Sequence, residues 1–211
     1  METLFKSRFA RKTLFSILFA AAVTLSVVPT GALAKGTLAE KEIPAVCDEI
    51  VNGKSYSVSK IVVHAKPEHV WRVLTDYKNA CSVFPQLRKC ETLEEKGATK
   101  ILKHKIQPSG LAGCTYEYVL EVRETAPRTL EWHRLSGDFK SVDGLWKLEP
   151  TNAGHDTLVT YSSYVNGGVF IPQFMIKRQS KIDMPDVLAN LKSESEANAL
   201  RIAKRDSVPT Q

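Results

Sequence analysis

The segment Cys114-Thr115-Tyr116-Glu117-Tyr118-Val119-Leu120-Glu121-Val122-Arg123 decides the fold class. Tyr116, Tyr118, Leu120 and Val122 fall on one side of a period-two pattern, while Thr115, Glu117, Glu121 and Arg123 fall mostly on the other. That is the signature of a strand with one buried and one wet face. The same period runs on in both directions. Strands are predicted near 88–95, 99–107, 114–124, 128–136, 138–149 and 156–166, divided by Lys96-Gly97, Pro108-Ser109-Gly110, Ala126-Pro127, Gly137-Asp138 and Asn152-Ala153-Gly154. Turns this short join antiparallel neighbours, so the stretch reads as a meander.

Upstream, the β-branched residues Val58, Ile61, Val62 and Val63 give a further strand over Tyr56 to His64. Pro67 opens a helix where its missing N–H is harmless, and Val70, Val73, Leu74 and Tyr77 form its apolar stripe. A second short helical piece, Cys81 to Leu87, is broken by Pro85. Residues 35–54 hold no period and read as an extended arm. Downstream of Gly167-Gly168 come Phe170 and Phe174, then Met184, Val187, Leu188, Leu191 and Ile202 at helical spacing. Pro185, just after the cap-like Asp183, predicts either a kink or two helices end to end, and 205–211 reads as a frayed tail.

The first 34 residues read as a cleavable secretory signal. Lys6, Arg8, Arg11 and Lys12 precede an apolar run from Leu14 to Val28, then Pro29, Gly31 and the small-x-small site Ala32-Leu33-Ala34. The run is shorter than the roughly 20 residues a spanning helix needs. An exported protein, periplasmic or secreted, is the expectation. The formal charge of +6 is inflated by that basic leader. Without it the charge falls by half, too mild to argue for nucleic acid. The remaining length fits one domain with a real core.

Cys47, Cys81, Cys90 and Cys114 lack the paired short spacings of a zinc site. In an oxidising compartment Cys81 and Cys90 are the preferred disulfide, since they bracket one short element and close the smallest loop. Isolated buried thiols are the alternative.

The order is α+β: a strand, two short helices, a six-strand meander and a long C-terminal helix. A curved sheet of seven strands facing the apolar stripe of that helix encloses either a core or a cavity. Three stretches carry a resemblance: Val63-His64-Ala65-Lys66-Pro67-Glu68-His69-Val70-Trp71-Arg72-Val73-Leu74-Thr75-Asp76-Tyr77, Gly137-Asp138-Phe139-Lys140 through Gly144-Leu145-Trp146-Lys147-Leu148, and Asp183-Met184-Pro185 through Leu188, Leu191 and Lys192. Together they resemble the polyketide cyclase/dehydrase and coenzyme Q binding branch of the START-like (SRPBCC) superfamily. The resemblance implies a helix-grip domain over residues 55–204, with a cavity used for lipids, quinones, sterols or polyketides by carriers and enzymes alike. Lys66 departs from the family's usual small polar helix cap.

Residue by residue, chemistry is thinly marked. No G-x-S-x-G, H-E-x-x-H or G-x-G-x-x-G occurs, and neither metal nor cofactor is expected. His104 shares a strand face with Leu102 and Ile106, where it is a proton donor, an orienting hydrogen bond or a satisfied core histidine. Phe84, Tyr116, Tyr118, Trp132, Phe139, Trp146, Phe170 and Phe174 supply the large, partly polar walls a ligand cavity needs. Arg134, in phase with Trp132, needs a partner, either an acidic ligand head or a protein carboxylate. Lys177, Arg178 and Lys181 form either a basic rim that touches anionic lipid or a solvated helix face. The leading expectation is an exported monomeric carrier for one hydrophobic molecule. A cyclase or dehydratase using His104 or a pocket tyrosine is the alternative, and a module packed solid is a third.

Overall fold

In the computed structural model, which describes residues 43–206, the period-two segments become one open antiparallel sheet. Its strands are β1 (Val46–Val51), β2 (Lys54–Val63), β3 (Leu87–Lys96), β4 (Thr99–Ile106), β5 (Tyr116–Thr125), β6 (Thr129–Gly137), β7 (Ser141–Thr151) and β8 (Asp156–Asn166). Three helices accompany them: α1 (Pro67–Leu74), α2 (Ala80–Val83) and α3 (Gln173–Asp206). The expected export signal and the residues after 206 lie outside the described part of the chain.

The strand order is β1-β2-β8-β7-β6-β5-β4-β3. β3 to β8 are the meander read from the sequence. β2 then pairs with β8, from Ser57 opposite Ser163 to Val63 opposite Thr157, so α1 and α2 carry the chain from one half of the sheet to its far edge. The sheet has eight strands where seven are expected, because the arm at 35–54 contains β1. β1 runs from Val46 opposite Ser59 to Val51 opposite Lys54, across a two-residue turn whose Asn52 and Gly53 both have positive φ, 51° and 75°. Positive φ at both central residues suits the twist of a tight hairpin.

α1 starts on Pro67 with no side-chain cap from Lys66, and it ends where Thr75 Oγ1 donates to Trp71 O at 2.9 Å. α2 stops before Pro85, and its cap residue Phe84 has extended backbone. α3 runs through Pro185 as one helix of 34 residues, so of the two alternatives read from the sequence the division into two helices end to end is overturned. The carbonyl that loses its partner there belongs to Lys181, an exposed residue.

α3 does two jobs along its length. From its middle onward it lays Leu188 and Leu191 into a solid core with Val63, Val70 and Val159, all fully buried. Lys192 Nζ donates to Val62 O at 2.8 Å, and His64 N donates to Glu196 Oε1 at 2.8 Å, fastening this half to β2. The first half, with Met184 and Val187, faces β4 to β8 across open space.

Candidate functional site: an apolar cavity under the C-terminal helix

That space is a cavity of about 670 Å³, within the range of sites that enclose one small organic molecule. β4 contributes Leu102, His104 and Ile106, and β5 contributes Tyr116, Tyr118, Leu120 and Val122. Both sets follow from strict alternation on strands whose other face is charged, as with Lys103, Lys105 and Glu117, which pair with one another outside. Trp132 comes from β6, Trp146 from β7, and Tyr161 and Ser163 from β8. Phe84 and Tyr77 close the end next to the short helices.

The aromatic wall is a connected set. Trp146 and Tyr161 stack with centroids 4.1 Å apart and planes 13° from parallel. Trp132 is 6.0 Å from Tyr161, and Phe84 is 6.4 Å from Trp146. Phe139, on the turn between β6 and β7, folds back onto Tyr116 at 4.9 Å and Tyr118 at 5.7 Å. Such offset contacts fix ring positions beyond what burial alone gives.

The polar groups that the sheet contributes to the wall are uncharged. Burial pushes the His104 imidazole down to about 4, so it is neutral near pH 7. Burial also raises the Tyr118 phenol well above its ordinary value and pushes Tyr161 up to about 12. These three side chains are half-buried and line the cavity. Among the lining residues Arg178 and Asp183 carry charge, both on α3.

A polar clamp holds one side of the cavity. Ser109 N donates to Asp183 Oδ1 at 3.0 Å, and Gln179 Nε2 donates both to Ser109 O at 3.0 Å and to Asp183 Oδ2 at 3.0 Å. The loop between β4 and β5 is thereby tied to α3. Sequence reasoning missed this clamp, and it had no local signal to use, since its partners lie about 70 residues apart. Tyr161, Leu120 and Val122 also belong to the lining, and their strand alternation is the signal that places them there.

Two expected wall residues stand elsewhere. Phe170 is 92% exposed and outside the lining, on the loop that precedes α3. Arg134 lies opposite Leu120, beside a bulge at Leu135, and its guanidinium turns onto the β6–β7 turn. It donates to Gly137 O at 2.9 Å and Lys140 O at 3.4 Å, so carbonyls replace the expected carboxylate or ligand. Phe174 lines the mouth while remaining largely exposed.

Cys81 and Cys90 come together as thiols, with Cys81 Sγ donating to Cys90 Sγ at 3.1 Å. The basic trio divides. Lys177 Nζ bonds to Ser55 Oγ at 2.9 Å and Asp48 Oδ2 at 3.4 Å, whereas Arg178 reaches the cavity rim and Lys181 is exposed.

The sequence profile of the family described as polyketide cyclase/dehydrase and lipid transport matches residues 63–192. The chain belongs to this family. Its fold is shared with TTHA0849 from Thermus thermophilus, at TM-score 0.60 and 16% identity over 67% of this chain and 97% of that one. A STAR-related lipid transfer protein from Xanthomonas axonopodis superposes at TM-score 0.60 and 15% identity, covering 73% of this chain and 99% of that one. The Zhui aromatase/cyclase from Streptomyces sp. R1128 aligns at TM-score 0.51 and 16% identity, over 72% and 95% of the two chains. No curated protein sequence matches the chain significantly. At these identities the solved structures establish the START-like helix-grip fold, and the family unites lipid transport with cyclase chemistry.

Proposed function

We propose that the protein binds one hydrophobic molecule in this cavity and carries it, acting as an exported monomer. The observation that carries the reading is the chemistry of the cavity wall: large apolar rings and aliphatic groups surround neutral hydroxyls and a neutral imidazole, with the two charged lining residues confined to α3. Burial of apolar surface, about 25 cal/mol per Å², then supplies the affinity. The lipid-transfer name of the Xanthomonas relative supports the carrier side, and the Zhui name supports an enzyme that shapes its cargo.

Loading from a membrane fits the rim. Val169, Phe170 and Phe174 are exposed at 90%, 92% and 71%, next to Arg178 and Lys181. Apolar side chains beside cations favour an anionic lipid surface. Export rests on the leader at 1–34, with its apolar run and Ala32-Leu33-Ala34.

A vesicle assay tests the carrier. Cargo extracted from the protein is placed in donor vesicles, and its arrival in acceptor vesicles is followed with and without protein. Transfer of chemically unchanged cargo, faster to acceptors rich in phosphatidylglycerol and slowed by Arg178→Glu with Lys181→Glu, is the expected result. Conversion of the cargo to a new compound overturns the carrier in favour of the cyclase or dehydratase. Cell fractionation, with and without residues 2–34, tests the address.

A further inference from the structure

We propose that His104 and Tyr118 form a recognition site for an uncharged oxygen, a hydroxyl or a carbonyl, on an otherwise apolar ligand, so that the cavity discriminates against acids and phosphates. This rests on the reading of the cavity as a binding site.

The geometry starts from register. His104 on β4 lies directly opposite Tyr118 on β5, and both alternate onto the cavity face. Their rings meet edge to face at 5.9 Å and 67°. Phe139 also packs against Tyr118 at 5.7 Å, so two rings contact the phenol. Elsewhere on the wall Tyr161 is fixed by its stack on Trp146.

Fixed polar groups in an apolar wall are costly unless something pairs with them. Among the described residues neither His104 nor Tyr118 has a hydrogen-bond partner, and both open onto the cavity. A neutral imidazole offers one donor and one acceptor, and a phenol offers both. A ligand hydroxyl satisfies either, and a carbonyl accepts from either. Burial keeps the imidazole unprotonated near neutral pH, so this face offers a carboxylate or phosphate no counter-charge.

The remaining charges do not repair that lack. Asp183 is an anion already occupied by Ser109 N and Gln179. Arg178 is the cation of the lining, but it is an exposed side chain on the opposing helix. An acid bound with its head at His104 and Tyr118 would bury an unpaired charge, which is far more costly than burying an alcohol.

Matched pairs of probes test this with the full chain stripped of bound lipid: retinol against retinoic acid, and oleyl alcohol against oleic acid, each titrated near neutral pH. 1-Octadecene delivered from cyclodextrin serves as the hydrocarbon reference. Each alcohol is expected to bind at least about tenfold more tightly than its acid. Tyr118→Phe and His104→Leu are each expected to weaken alcohol binding about fivefold while leaving 1-octadecene unchanged. Acids that bind as tightly as their alcohols overturn the proposal. So do variants that lose hydrocarbon and alcohol in equal measure, since that is a packing role. If no probe of any kind binds, the failure lies with the reading of the cavity as a binding site, and the proposal falls with it.

Discussion

Gly144 on β7 lies directly opposite Trp132 on β6, and the indole occupies the space that a Cβ at position 144 would fill. The missing side chain lets Trp132 lie flat in the cavity wall, in contact with Tyr161. Gly144 has no positive φ, so what matters here is room and not backbone freedom.

Gly144→Ala is therefore expected to overpack the wall, lowering unfolding free energy by about 1–3 kcal/mol and weakening ligand binding as Trp132 moves into the cavity. Urea melts and a retinol titration check both effects. A variant as stable and as capacious as the parent would contradict this account of the wall.

The solid half of the domain has its own test. Thr157 Oγ1 donates to Ala65 O at 2.7 Å, and Thr157 is fully buried. Thr157→Val preserves shape and leaves that carbonyl unpaired, with an expected loss of about 1–3 kcal/mol by urea denaturation. Ligand affinity should hold, because Thr157 does not line the cavity.

His104 makes stability depend on pH. Its folded value, about 4, lies below the ordinary 6.5, so between those values the unfolded chain binds more protons than the folded one. Stability from this group is complete above the unfolded value and is lost as pH falls toward the folded one. Comparing melts at about pH 7.5 and about pH 4.5, the parent should lose about 2 kcal/mol more than His104→Leu. The subtraction removes carboxylates common to both proteins, such as Asp143, held low by Lys54 against the opposing effect of burial, and Glu117, held low by Lys105 and Lys103. Equal losses would place His104 in contact with bulk water.

The cysteines should differ in reactivity. Cys47 and Cys114 are exposed, whereas burial and its contact with Cys81 raise the Cys90 thiol well above its usual range. Iodoacetamide is expected to label Cys47 and Cys114 first. Diamide should then cross-link Cys81 to Cys90 in the folded protein, as peptide mapping would reveal. Alkylation of Cys90 at the rate of Cys114 would contradict the arrangement.

The parts of the fold written in local periodicity were legible. Alternation in β4 and β5 places Leu102, His104, Tyr116 and Tyr118 on one face, and they do line the cavity. β1 was not legible by that route, because five of its six residues are exposed and no apolar face exists to set a period. Its mark was the hairpin pair Asn52-Gly53, which the reading of 35–54 as an extended arm left unused. Phe170 misled because an aromatic side chain says nothing about which way a loop carries it. Arg134 was placed on a plausible face, but the bulge at Leu135 and the reach of the guanidinium let it bond to carbonyls that no spacing rule identifies.

Native mass spectrometry of the protein purified from the cells that make it, followed by organic extraction, bears most directly on the carrier. One uncharged hydrophobic molecule per chain, recovered intact in the extract, is the predicted result. A chain at its bare mass that takes up nothing when offered a lipid extract of the same cells would contradict it.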